Sequence, residues 1–188
     1  AKFKAYSADR GEALWEFPTQ TGVVAPAMTY EIDGEQFVSI NVGWGGAFAL
    51  VFGEFIQAES LPNVSRVLTF KLGASKTLPE PDGRPTVVFN PPIQTGTAEA
   101  ISRGHRLYQD ICMGCHGLNA VSGLLIPDLR GSAYIHDPTG WDSVVRDGAL
   151  RGGGMASFAS ELDREESASI RAFIIDEAQK AKARQASR

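Results

Sequence analysis

The chain has only two cysteines in 188 residues, and both fall within one five-residue stretch. A disulfide framework needs more thiols spread along the chain, and a four-thiolate zinc cage needs twice as many. No apolar run approaches the roughly 20 residues that cross a bilayer as a helix. Neither sign of charge is in excess: 18 Lys and Arg stand against 22 Asp and Glu, a formal net charge of -4. That balance gives no sign of the basic surface that a phosphate backbone requires, so nucleic-acid binding is not expected. The sequence opens on neither a methionine nor an apolar run, as would be expected of the C-terminal piece of a larger protein. Histidine and methionine are scarce, three of each, so every one of them can be weighed as a ligand.

The two cysteines stand in Cys112-Met113-Gly114-Cys115-His116. C-x-x-C-H reads as a c-type haem attachment site, in which both thiols add to the haem vinyl groups and the next imidazole binds the iron. The bland alternative is a pair of ordinary buried cysteines that happen to precede a histidine. The flank favours haem. Thr97 is a plausible helix N-cap, and Ile101, Gly104, Tyr108 and Ile111 follow at helical spacing, with Gly104 small enough to admit a second helix closely.

An iron that cycles electrons without binding substrate needs a second axial ligand, and methionine raises its potential. Met28 lies far upstream in a region that reads as strand. Met113 lies inside the attachment loop and cannot reach the other haem face. Met155 remains, directly after Gly152-Gly153-Gly154, a run that lets backbone approach a ring closely. It is the expected distal ligand, with a core methionine as the bland reading and His136 as the runner-up ligand. His105 reads as a solvated side chain. The Pro127 ring could pack on the haem, and a carbonyl nearby could hold the other nitrogen of His116 and fix its tautomer. Arg130 reads equally as a haem-propionate partner or as a surface residue.

The C-terminal part, residues 96–188, therefore reads as a small all-α class I cytochrome c domain. The segment from Trp141 to Val145 is expected to be a short helix with Thr139 as cap and Asp142 at the capping-box position. Asp163 with Glu166 repeats that signal before a last helix whose apolar face is Ile170, Phe173 and Ile174, with cations from Lys180 to Arg184 near its end.

Residues 1–73 look different. Phe3 to Tyr6 and Leu14 to Phe17 read as strands around a glycine turn. Ala27 to Ile32 and Gln36 to Val42 flank Asp33-Gly34, the strongest short hairpin signal. From Ser65 to Leu72, Val67, Thr69 and Lys71 alternate with Leu68, Phe70 and Leu72. Ala47 to Phe52 is apolar and reads as a hydrophobic strand. With no convincing helix, an all-β unit is expected. A propeller blade takes about 40–50 residues and four strands. This region supplies one blade and cannot close a ring, so the strands form either an odd free-standing sandwich or the C-terminal piece of a larger protein. Residues 74–95 hold Pro79, Pro81, Pro85, Pro91 and Pro92 and read as a semi-extended linker.

Taken together, these residues resemble the C-terminal part of the type II quinohaemoprotein, pyrroloquinoline quinone (PQQ)-dependent alcohol dehydrogenases. Ala8 to Trp15, with Pro26 and Tyr30 after it, is similar to that family's tryptophan-docking repeat, with a departure at Arg10, which Gly11 follows directly. Asn41-Val42-Gly43-Trp44-Gly45-Gly46 resembles the segment that closes over the quinone. Ser65 to Gly73 resembles the last propeller strand, and Cys112, Cys115, His116, Pro127 and Met155 match the cytochrome part.

The resemblance implies a propeller-blade segment followed by a cytochrome c domain, with haem c held by Cys112 and Cys115 and ligated by His116 and Met155. It implies PQQ contacts at Trp44 and Gly45, for which a packed glycine corner is the bland reading. PQQ and Ca2+ belong to the full protein. There, an alcohol would be oxidised and electrons passed to the haem and then to an external acceptor such as a cupredoxin, in the periplasm. The catalytic base, the calcium ligands and a vicinal disulfide lie upstream in the family. No catalytic residue is assigned here, and the carboxylates read as solvated. The rest of the PQQ propeller would be the chain's partner. The alternative is an electron-transfer c-type cytochrome with an accessory β domain and no dehydrogenase activity of its own; a β module with a degenerate haem motif is a third reading.

Overall fold

The computed structural model describes the chain apart from residues 46, 59–63, 83–86, 123–125 and 188, and apart from the side chains of residues 47, 57 and 58. Gly46 of the glycine-rich corner and Pro85 of the expected linker therefore lie outside the described residues. The chain divides into two compact units, Ala1–Ala49 with Phe55–Pro85, and Leu50–Glu54 with Thr86–Arg188.

In the first unit, β1 (Lys2–Tyr6) pairs antiparallel with β2 (Ala13–Pro18), in register Phe3 to Phe17, with an irregularity at Ala5 and Tyr6. A second sheet has the order β3-β4-β5, where β3 is Met28–Ile32, β4 is Glu35–Val42 and β5 is Arg66–Lys71. Asp33 and Gly34 turn the β3–β4 hairpin with φ of 53° and 79°. Two successive positive φ values give the primed turn whose twist suits paired strands. The alternation read from β5 holds as far as Lys71: Leu68 is buried and Phe70 half-buried, while Val67, Thr69 and Lys71 face water; Leu72, expected on the inner face, lies beyond the strand and is exposed. Ile40, Val42 and Leu68 form a core on which Phe3, Phe17, Val23, Phe70 and Leu78 pack. Trp15 meets Phe70 edge-on at 5.1 Å and stacks on Phe17 at 6.0 Å. The described strands thus make a three-stranded sheet and a separate hairpin.

One expectation fails here. The run Ala47 to Phe52 is not a strand; α1 (Ala47–Val51) and α2 (Gly53–Ala58) occupy it and the residues after it. A short apolar run fits either period, and tertiary packing decides between them. Ala49 and Ile56 are buried with Trp44 while Phe48, Phe52 and Phe55 stay exposed, which is a helical rather than an alternating division.

In the second unit, α3 (Ala98–Ile111) starts at Thr97, whose hydroxyl accepts from Ala100 N at 3.2 Å. It crosses α6 (Arg164–Ala186) at Gly104, where a Cβ would collide with the Ser169 backbone. The Tyr108 and Phe173 rings meet at 5.2 Å in that crossing. Asp163 and Glu166 close the capping box that opens α6, with reciprocal bonds of 2.7 and 3.0 Å. The shorter α5 (Pro138–Val145) corrects another expectation. Its cap is Asp137, not Thr139, because Pro138 takes the first helical position and the Asp137 carboxylate accepts from Thr139 N at 3.0 Å. Asp142 instead accepts from Ser167 Oγ at 2.7 Å and from Arg164 at 2.8 Å. Tyr108, Ile135, Trp141, Leu162, Ile170, Phe173 and Ile174 fill the core between the three helices.

Residues 74–82 carry no helix or strand, as a linker should. Residues 87–94 are more than spacer. Gln185 Nε2 donates to Val87 O at 2.7 Å, Gln179 Nε2 to Pro92 O at 3.1 Å, and Gln94 Nε2 to Ala172 O at 2.8 Å. This stretch is fastened along α6.

Candidate functional site

The Cys112–His116 motif begins where α3 ends. Cys112 N donates to Tyr108 O at 2.8 Å and closes the last turn of α3. The chain continues without a loop into a single turn, α4 (Met113–His116), in which His116 N donates to Cys112 O at 3.0 Å. Gly117, at φ 81°, then turns the backbone away. One helical turn therefore brings two thiols and an imidazole into close succession at the helix end.

Their environments differ. The Cys112 thiol is half-buried against the helical core, and loss of water, with Cys115 beside it, pushes its pKa up to about 12. Cys115 is exposed. The His116 ring sits largely in the protein; burial lowers its pKa, while the Pro127 carbonyl acts in the opposite sense as an acceptor. Its Nδ1 is buried and, among the described residues, has no partner that satisfies hydrogen-bond geometry. The Tyr108 hydroxyl is wholly buried and donates to Gly117 O at 2.6 Å, pinning the residue after the histidine; burial raises its pKa far above the ordinary tyrosine range.

Met155 is half-buried and packs on the same core as Cys112, Met113, Leu107, Ile111, Leu129 and Phe158. It follows a 3-10 turn, Arg151–Gly153, and Gly154 at φ 96°. No described atom lies within 4 Å of a Cβ built on Gly152, Gly153, Gly154 or Gly114. Both chain segments thus present open backbone beside their sulfur atoms. His136 is exposed at the end of a 3-10 turn and is not part of this core. His105 is not simply solvated: its ring lies 4.8 Å from Phe173 and its Nε2 meets Gln109 at 2.8 Å. Met28 is exposed on β3 in the other unit.

Among the described residues no three His, Cys, Asp or Glu side chains gather into a metal cage. One imidazole and one thioether suffice only when the metal brings most of its own ligands, as iron in a porphyrin does. Two thiols of unequal exposure, a neighbouring imidazole and glycines with open faces fit such a macrocycle.

The glycine corner behaves differently. The Trp44 indole is buried against Gly22, where a Cβ would come within 2.6 Å of the ring, and it stacks with Phe48 at 6.4 Å. Gly45 instead lines an open cavity of about 440 Å³ with Asn41, Gly43, Ser65 and Arg66. The indole is packing; the exposed group at this corner is backbone.

Two groups escape sequence reasoning. The Tyr108 hydroxyl was legible only as a polar tip four residues before Cys112. Asp128 was counted among solvated carboxylates, yet it forms a buried ion pair with Arg130 at 2.6 Å. Nothing in the local pattern announces that burial.

Residues 99–174 match the family described as cytochrome C oxidase, cbb3-type, subunit III. The chain is 42% identical over 174 residues to the quinohemoprotein alcohol dehydrogenase ADH IIB of Pseudomonas putida, covering 91% of this chain and 25% of that protein. It is 35% identical to a 1-butanol dehydrogenase (cytochrome c) of Thauera butanivorans, covering 93% and 25% respectively. Among solved structures it resembles the quinohemoprotein alcohol dehydrogenase ADHIIG of Pseudomonas putida HK5, with a TM-score of 0.81 and 36% identity, covering 98% of this chain and 26% of that one. The chain is thus homologous over most of its length to quinohemoprotein alcohol dehydrogenases, and it spans about a quarter of the curated relatives it matches. Its second unit is a cytochrome c domain, whose cofactor is haem c.

Proposed function

We propose that this chain is the electron-relay end of a periplasmic, PQQ-dependent alcohol dehydrogenase. Residues 1–73 would form a blade of its propeller, 74–95 the linker, with its residues 87–94 fastened to α6, and 96–188 a class I cytochrome c domain. In the whole protein, PQQ with Ca2+ would supply two-electron oxidation of a small alcohol, and haem c one-electron transfer to an external acceptor such as a cupredoxin. Cys112 and Cys115 would tether the haem, and His116 and Met155 would supply a nitrogen and a sulfur to its iron. The Pro127 carbonyl would orient His116, and the core behind Cys112 and Met155 would exclude water there. Gly45 would offer backbone to the quinone, and Trp44 would hold that backbone in place by packing. The chain contributes no catalytic acid or base to this reading.

The observation that supports the proposal is the placement of Cys112, Met113 and Met155 on one apolar bed, with His116 in the same helical turn as the cysteines. An alkaline pyridine haemochrome spectrum of the purified chain should show covalently held haem. Met155→Ala should then abolish the red-end absorption band of sulfur-ligated ferric iron and lower the midpoint potential. An unchanged spectrum would remove Met155 from the iron, and a chain without covalent haem would remove the redox reading.

A further inference from the structure

Just behind His116 the backbone holds strain that the functional reading leaves without a task. Asn119 has φ 53° and ψ 31°, and Ala120 follows at φ 60°. Two successive residues with side chains thus take the left-handed conformation. Asparagine tolerates it through a short polar side chain, and alanine has no such means. Ala120 is also wholly buried. Strain of this kind persists only where the surroundings over-determine it.

The surroundings here are specific. Gly117 is buried at φ 81°, and a Cβ on it would collide with the Val121 carbonyl, so the chain doubles back within five residues. Val121 N donates to Leu118 O at 3.0 Å and closes that reversal. From α3, the Tyr108 hydroxyl donates to Gly117 O at 2.6 Å. His116 stands directly before this turn, and its backbone is held from the other side. His116 N donates to Cys112 O at 3.0 Å and Gly117 N to Met113 O at 2.9 Å, so the N–H on each side of the histidine Cα is bonded. A phenylalanine at 108 would meet Phe173 as the tyrosine ring does, at 5.2 Å. The hydroxyl therefore serves the turn and not the core.

We propose that Tyr108 and Ala120 are positioning residues for the iron's nitrogen ligand, acting through Gly117: the hydroxyl and the left-handed turn fix the backbone from which the His116 ring projects. The inference rests on the haem reading. Alanine at positive φ has few neighbouring conformations to drift into, whereas glycine has many. A ring carried on fixed backbone keeps one orientation in both oxidation states, as a ligand locked by its support does. A ring free to turn binds the oxidised metal less well, so loosening the turn should raise the potential without removing the haem.

The test uses the full haem-loaded chain with Ala120→Gly and Tyr108→Phe. It reads the paramagnetically shifted His116 ring resonances of the oxidised form and the midpoint potential, beside urea unfolding. Ala120→Gly removes strain and one buried methyl together, so its urea midpoint should stay near the parental value. Both variants should nevertheless move and broaden the ring resonances and raise the potential, Tyr108→Phe by more. A variant that leaves ring resonances and potential at their parental positions strikes its residue from the assignment, whatever its urea midpoint. That result in both would overturn the proposal while leaving haem ligation intact. Should Tyr108→Phe not fold, Ala120→Gly decides alone. A parent chain without covalent haem would overturn the underlying reading and this inference with it.

Discussion

On β3, Met28, Tyr30 and Ile32 all stand in solvent, whereas on α6 Ile170, Phe173, Ile174 and Ile175 are all buried. The contrast extends to the units around them. Leu14, Val67 and Leu72 are also exposed in the β unit, and its buried clusters are small. β3 is moreover an edge strand, with a row of backbone groups open to pairing. The helical unit closes one continuous core and leaves its open space beside the cysteine motif and the glycines before Met155. A sheet with apolar strands in water needs cover from other chain segments. A helical unit with open backbone beside its two thiols has room there for a cofactor. The proposed blade and haem domain would differ in that way, and the comparison can be tested.

The largest effect should come from the thiols. Replacing both Cys112 and Cys115 by serine should leave no haem after acid extraction and a helical unit that melts early, while the β unit keeps its strand signal in circular dichroism. Loss of both signals together would break the division between a cofactor-dependent and a cofactor-independent unit. Next come the cores. Ile174→Ala should cost about 2–5 kcal/mol, the range for emptying a well-packed site. Leu68→Ala should fall at the lower end of that range, because its smaller cluster can relax around the gap. Urea unfolding followed by the haem absorption for one unit and by near-ultraviolet dichroism for the other would rank them; the reverse order would contradict the contrast.

Tyr108→Phe sharpens the picture within the helical unit. The Gly117 carbonyl would lose its donor in a buried place, at a cost of about 1–3 kcal/mol. Haem content should be unchanged and the urea midpoint lower, since the ring still packs on Phe173. A variant as stable as the parent would mean that water replaces the hydroxyl.

Much of this architecture was legible in the residues. Asp33-Gly34 marked the β3–β4 hairpin, period-two alternation marked β5, Thr97 and the Asp163–Glu166 box marked two helix starts, and Gly104 marked a place where a second helix could come close. These signals are local, or depend on one residue being small. The misses depend on distant partners. Ala47 to Phe52 became helix because Ala49 packs with Trp44 and Ile56, which no short apolar run can announce. Asp137 displaced Thr139 as a cap because Pro138 prefers the first helical position. Residues 87–94 read as spacer since their bonds to Gln179, Gln185 and Ala172 join parts of the chain far apart in sequence. Of the candidate site, the cysteines, His116 and Met155 stood out by motif or scarcity; Arg130 was read as a propionate partner or a surface residue, yet it is buried on Asp128, and neither that pairing nor the bond of the Tyr108 hydroxyl was legible.

The smallest effect separates the units most cleanly, since it starts from equal backbone costs. Gly34 at φ 79° and Gly154 at φ 96° both sit where an L side chain is strained, and no described atom lies within 4 Å of a Cβ built on either. Alanine at each should therefore cost about 1 kcal/mol, from conformation alone. At Gly34 that is the whole expected effect, because the hairpin turn faces water and positions nothing else. At Gly154 the added methyl would stand beside Met155, in the space a macrocycle would use. Gly154→Ala should thus match Gly34→Ala in urea but alone weaken the sulfur-to-iron band. Equal urea midpoints with an unaltered band in both would show that the open face before Met155 is ordinary loop.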